Sequence, residues 1–180
     1  MLILHCTKKL QSFLKIGKTS LVDANPQTED LGSWHLNIIE LDRHLCVIAA
    51  NDQTLFNFLI VDLPRMNTNQ FVELFKSFLG CILAEEGFNQ DWIAEQMTRF
   101  NEVGFANTNS RQILGCLNEL SFMYSYHIED EGGVHTPMLP EIIKKLNRVI
   151  LGPIKGHPID GVYALYAKGR PDHNSTERTQ

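Results

Sequence analysis

The stretch LGSWHLNIIELDRHLCVIAANDQTLFNFLIVDL, residues 31–63, decides how this chain folds. Segments 34–41, 45–51 and 55–63 are rich in Ile, Val, Leu and Phe and are separated by turn formers, which is the pattern of three consecutive antiparallel strands. Asp42-Arg43-His44 reads as a three-residue loop, and Asn51-Asp52-Gln53-Thr54 supplies residues that tolerate a tight turn. The second and third strands are apolar on both faces. Val47 and Ala49 alternate with Cys46, Ile48 and Ala50, and Leu55, Leu59 and Val61 alternate with Phe56, Phe58 and Ile60. Strands that hide both faces need a layer on each side, or a partner chain on one.

With a three-residue loop, Leu41 faces Leu45, and counting back places His35 opposite Asn51. Directly opposed side chains lie about 5 Å apart at Cβ. The expectation is a polar cluster of His35, Asn51 and Asp52 at the sheet end away from the Asp42 loop. A slip of one residue would turn His35 to the other face.

Working outward, 180 residues suffice for one domain with a substantial core, and 43% hydrophobic with 21% charged residues is ordinary globular composition. No apolar run approaches the ~20 residues of a membrane helix. The start, MLILHCTKK, has its apolar residues before its basic ones, so a secretory signal is not expected. A cytoplasmic protein without a membrane partner is expected. Cys6, Cys46, Cys81 and Cys116 are scattered, mostly among apolar neighbours, and read as free buried thiols. The net charge of −5 is uneven: residues 1–22 carry four lysines and no acid, whereas residues 23–102 hold thirteen acids against four bases. The basic ends form either a modest positive surface or merely solvated helix faces.

Residues 1–6 read as a short strand, with Thr7 as N-cap of a helix to about Ile16. Thr7-Lys8-Lys9 thus stands at a strand-to-helix junction, either an anion site or a capped helix with exposed lysines. Residues 17–32 are a polar linker expected to be mobile. Asn67 with Gln70 predicts a capping box for a helix to about Glu86, stopped by Gly87, and a second helix spans 90–100. Residues 103–106 suggest an edge strand. Asn107-Thr108-Asn109-Ser110 opens a helix near Arg111, on which Arg111 and Asn118, two turns apart, project to one side. Arg111 opposes the helix dipole, so it has either a carboxylate partner or a ligand. Gly115 between them suggests a close packing neighbour. An acidic loop follows at 129–133, then a helix from Pro140 to about Leu151, a turn at 156–160, and a last strand over 162–166. The residues from 169 on lack apolar side chains and are expected to be disordered.

No dinucleotide, phosphate-loop, zinc-protease or nucleophile-elbow motif occurs, and the seven histidines show no metal-ligand spacing. Neither a cofactor nor a metal is expected. What remains is a set of polar residues the topology can gather at one end of the sheet: Thr7, Lys8, His35, Asn51, Asp52, Arg111 and Asn118. That gathering requires the first strand to run parallel to the strand ending at Asn51, and the Arg111 helix to start on that side. The set offers cations and hydrogen-bonding groups for a phosphate or carboxylate, with His35 as the one general base.

In HCTKKL (5–10), LGSWH (31–35), the AND turn (50–52) and NSRQILGCLNEL (109–120), the chain resembles a bacterial family known as domain of unknown function 6933. The resemblance implies no activity. It does imply that the polar positions above fall within recurring motifs.

The expected fold is α+β, a single domain over 1–168 with a tail at 169–180. A small, mainly antiparallel sheet, made of the central meander 34–63 and an N-terminal strand, is covered by about five helices. The first functional expectation is a protein binding an anionic ligand (nucleotide, phosphorylated metabolite or nucleic acid) at the sheet end. A small enzyme with His35 as acid–base is the second. The third is an interaction module, such as a toxin partner or the subunit of a homo-oligomer.

Overall fold

The computed structural model describes residues 1–23 and 30–169. Five strands, β1 (Leu2–Cys6), β2 (Ser33–Leu41), β3 (His44–Asn51), β4 (Asn57–Ile60) and β5 (Val103–Asn107), form one sheet in the order β4-β3-β2-β1-β5. Among the described residues six α-helices surround it: α1 (Lys8–Phe13), α2 (Thr68–Glu85), α3 (Gln90–Arg99), α4 (Arg111–Asp130), α5 (Leu139–Leu146) and α6 (Pro158–Lys168). The class is α+β as expected, but the sheet is mixed. β2, β3 and β4 form the antiparallel meander, while β1 runs parallel to both β2 and β5. The chain returns from β1 to β2 through α1 and the segment after it, and such a crossover yields a parallel pair. β1 is therefore antiparallel to β3, contrary to the condition set for gathering the polar residues.

The first hairpin corrects the register. Leu41 pairs with His44, so the loop is only Asp42-Arg43, and both residues lie in the left-handed region at φ 50° and 65°. Two such residues make the turn whose twist matches that of the flanking strands. The Asp42 carboxylate accepts the Val134 N–H at 3.1 Å, which ties the turn to the chain beyond α4. His35 consequently pairs with Ala50 and Trp34 with Asn51. His35 and Asn51 point to opposite faces, because a one-residue slip exchanges the faces of a strand.

Both faces of the meander are covered, which explains its doubly apolar strands. On one, Phe75 of α2 meets Trp34 and Phe58, each at 5.4 Å between ring centroids. The capping box that starts α2 is present: Asn67 Oδ1 accepts the Gln70 N–H at 2.9 Å and Gln70 Oε1 accepts the Asn67 N–H at 3.0 Å. On the other face, the Tyr124 hydroxyl of α4 donates to Asn57 Oδ1 at 2.9 Å. Asn147, just after α5, brackets the main chain of Asn57 there, accepting its N–H and donating to its carbonyl, both at 2.8 Å. The carboxamide occupies the edge of β4 as a further strand would.

Other expectations change. Residues 162–166 are helical, within α6: Pro158 occupies its first turn, Asp160 Oδ2 accepts the His157 N–H at 3.1 Å, and Pro158, Ile159 and Val162 are buried at helical spacing. β4 is shorter than read at both ends, with Leu55 at φ 56° before it and Asp62 at φ 54° after it. α1 ends at Phe13 rather than near Ile16. Glu129 and Asp130 belong to the last turn of α4 and not to a loop. A Cβ on Gly115 would meet nothing within 4 Å among the described residues, so none of them packs closely there. Cys6, Cys46 and Cys116 are buried free thiols, but Cys81 is exposed. In the linker, Lys18–Ser20 forms a 3-10 turn and the Val22 N–H donates to the Phe105 carbonyl at 2.8 Å. Residues 24–29 of that linker, and the tail from 170 on, lie outside the described residues. No helix among the described residues is long and apolar enough to cross a membrane.

Candidate functional site

The parallel pairing of β1 with β2 sets His5 beside His35, with Ala106 of β5 on the far side of His5 and Ala50 of β3 on the far side of His35. All four side chains leave the same face. The two alanines leave width for the two imidazoles, which stack at 4.6 Å between centroids and 17° between planes. Asp52 follows the end of β3 and its side chain returns to this face. Its Oδ1 lies 2.6 Å from His35 Nδ1, and its Oδ2 accepts the Ser33 hydroxyl at 2.5 Å. The Asp52 N–H donates to the Ser33 carbonyl at 2.9 Å, so main chain and side chain together fix the carboxylate. His5 and His35 have no exposed surface, and Ser33 is 4% exposed.

The partners assign the protons. The carboxylate accepts, so His35 donates from Nδ1, and its Nε2 is left to accept the Asn109 N–H, a long contact of 3.4 Å. His5 donates from Nδ1 to the Asn107 carbonyl at 2.8 Å. Its Nε2 then has no hydrogen-bond partner among the described residues, and it faces Asp52 Oδ2 at 3.6 Å. Burial holds the His5 pKa below the usual histidine value; the Asn107 carbonyl and the Asp52 charge pull it up and His35 pushes it further down. In its neutral form His5 carries a bare lone pair in a closed site. An unsatisfied buried group of this kind costs about 1–3 kcal/mol, and few persist in native proteins. Chemically, the cluster holds one imidazole oriented by a carboxylate and a second with an unspent acceptor. It contains no nucleophilic thiol: Cys6, next to His5, points to the opposite face, is buried, and has its pKa pushed up to about 12 by burial.

Of the seven residues singled out from the sequence, His35 and Asp52 meet in this cluster. Asn51 is spent on the turn: its amide donates to the Ser33 carbonyl at 3.0 Å, and its Oδ1 accepts from the Gln53 N–H, the Thr54 N–H and the Thr54 hydroxyl. The Thr7 hydroxyl donates to Asn37 Oδ1 at 2.9 Å instead of capping α1. Lys8 and Arg111 are the exposed first residues of α1 and α4, and Asn118 is exposed two turns further along α4. Among the described residues Arg111 pairs with no carboxylate. Cys6 and Asn107 are register partners, so Lys8 and Arg111 follow adjacent parallel strands off one carboxyl edge. Sequence reasoning missed His5 and Ser33. Their only signal was a polar side chain inside an apolar strand, and the pairing of β1 with β2 was needed to give it meaning. It also missed a group of metal-competent side chains, His44, Asp62 and His135, at the other end of β3.

No curated protein matches the chain. The model of one family, "Domain of unknown function (DUF6933)", matches residues 3–163, and the chain belongs to that family.

Proposed function

We propose, from a family membership that names no activity, that this protein binds a small phosphate-bearing ligand at the carboxyl edge of β1 and β5. Arg111 and Lys8 form its cationic rim, and the His5–His35–Asp52 cluster is its buried floor. One observation carries the reading: α4 opens with an arginine that opposes the helix dipole and has no carboxylate partner among the described residues. A cation kept there against local preference, beside free backbone N–H groups, suits an anion. The edge is also where open sheets with parallel strands take ligands, outside the strand carboxyl ends. Four free cysteines support a reducing, cytoplasmic setting.

The test is a thermal-shift panel of nucleoside phosphates and sugar phosphates, with a single-stranded oligonucleotide as a second arm, followed by calorimetric titration. Arg111→Ala should weaken the ligand about 10- to 100-fold, the size of a lost charge-assisted hydrogen bond, and leave the unliganded melting temperature unchanged or slightly raised, since it removes a cation that opposes the dipole. A panel without any shift, or equal affinity in Arg111→Ala, overturns the reading. A second reading, an enzyme using His35 as acid–base, is favoured by the 2.6 Å contact that orients this imidazole against Asp52. Turnover whose pH profile does not change in His35→Gln would remove it.

A further inference from the structure

We infer that His44, Asp62 and His135 form a binding site for a divalent transition ion of the zinc class. The three residues come from separate segments: the first position of β3, the turn after β4, and the connection between α4 and α5. Their ligand atoms all lie within 4.8 Å of one another. His44 Nδ1 contacts Asp62 Oδ1, and His135 Nδ1 lies 3.3 Å from Asp62 Oδ2. The imidazoles stand edge to face, 4.8 Å apart at 83°.

Bonds of about 2.0–2.1 Å in a tetrahedron put neighbouring ligand atoms about 3.3 Å apart. The Asp62–His135 distance already meets that value. The remaining adjustment falls on side chains that are 38%, 45% and 63% exposed for His44, Asp62 and His135, free to rotate without disturbing the core. Two imidazoles and one carboxylate select zinc, cobalt, nickel or iron over magnesium and calcium, which prefer all-oxygen sets. Three protein ligands leave a coordination position open to solvent.

The main chain brings the groups together before any ion arrives. Gly133 takes φ 113°, and a Cβ there would sit 2.6 Å from Asp42 Oδ2, the same oxygen that accepts the Val134 N–H. Val134 is buried. The residue before His135 is thus locked onto the residue two before His44. Asp62 itself adopts φ 54°, an uncommon conformation for a residue other than glycine. With the backbone already fixed, closing around an ion orders the three side chains but costs little main-chain entropy.

The test uses chelator-treated full-length protein titrated with Co²⁺, read by its ligand-field absorption, and with Zn²⁺ by competition. The expected result is one equivalent bound, with affinity reduced at least tenfold in each of His44→Ala, Asp62→Ala and His135→Ala. Circular dichroism should stay unchanged, since all three are surface side chains. His157→Ala, which removes another exposed histidine–aspartate pair, should bind as the wild type does. Gly133→Ala should weaken the ion while leaving all three ligands in place. Absence of a one-equivalent absorption band, or equal affinity in the three ligand variants, overturns the assignment.

Discussion

Acidification tests the electrostatics of the buried cluster directly, with His5→Gln as the reference that cannot titrate there. In the folded chain His5 prefers the neutral state, because burial outweighs the pull of the Asn107 carbonyl and Asp52. In the unfolded chain it titrates near 6.5. Below that pH the unfolded state therefore binds more protons than the folded one. The stability His5 contributes is present above about pH 6.5 and is lost as the pH falls toward its lower folded value. The steepest slope a single proton allows is about 1.4 kcal/mol per pH unit. From pH 6.5 to 5.5 the loss is bounded at about 1 kcal/mol, because the unfolded group is already half protonated at the start. The other six histidines and the carboxylates are common to both proteins and cancel in the comparison.

The assay is urea unfolding at pH 7.5, 6.5 and 5.5 at fixed ionic strength, analysed as the difference between wild type and His5→Gln. That difference should move in favour of the variant on acidification, at up to the slope just given. Movement in the opposite direction would mean that Asp52, 3.6 Å away, holds a proton on His5 in the folded state. The bare lone pair would then not exist. A difference that does not change with pH would equally refute the assignment. Where the variant does not refold, the ring signals of His5 followed through the native-state titration decide the same question.

Two further substitutions test the frame around the site. Asn147→Ala removes the carboxamide that brackets the Asn57 main chain, leaving a buried N–H and a buried carbonyl without partners. At about 1–3 kcal/mol for each group, a loss of about 2–6 kcal/mol in chemical denaturation is expected, and a loss under about 1 kcal/mol would contradict the role given to it. Gly161→Ala places a Cβ 2.8 Å from Thr54 Cγ2 and 3.3 Å from Thr54 Cα, where α6 meets the turn that follows β3. Overpacking of this kind costs about 1–3 kcal/mol, to be read as a lowered melting temperature; a melting temperature at or above wild type would show that the contact yields without strain.

Much of the fold was legible because local chemistry and tertiary structure agree. The Asn67 and Gln70 capping box marks the start of α2, and apolar spacing carries that helix to its end. The meander declared both its strands and its need for two covering layers. What failed had a weak local signature or none. Residues 162–166, Val-Tyr-Ala-Leu-Tyr, have strand composition, and the signals for a helix lie before them, in Pro158 and the His157–Asp160 cap, and far away, in the packing of Tyr163 and Tyr166 on Phe88. The hairpin loop is the sharper case. Asp-Arg is not a sequence that advertises two left-handed residues, and the carboxylate that helps hold it there finds its donor at Val134, far along the chain. Of the site, His35 and Asp52 were found from a register that was off by one, because Asp52, one residue past the supposed partner, returns to the face that Asn51 leaves.

That loop also connects the two ends of β3. Its two-residue length sets the pairing of β2 with β3, which in turn decides that His35 faces the same side as Asp52 and, through β1, as His5. The Asp42 carboxylate that ties this loop to Val134 is the same group that lays His135 beside His44. A single tertiary contact thus supports the register that assembles the buried histidine cluster and fixes the main chain under the exposed one. Loosening it acts unequally on the two. The register is also held by the paired length of β2 and β3 and by aromatic packing on Trp34 and Phe58, whereas the approach of His135 to His44 has the Asp42–Val134 contact as its main-chain anchor. The exposed cluster is therefore the more sensitive to changes at Asp42 and Gly133, and the buried cluster to changes in the strands.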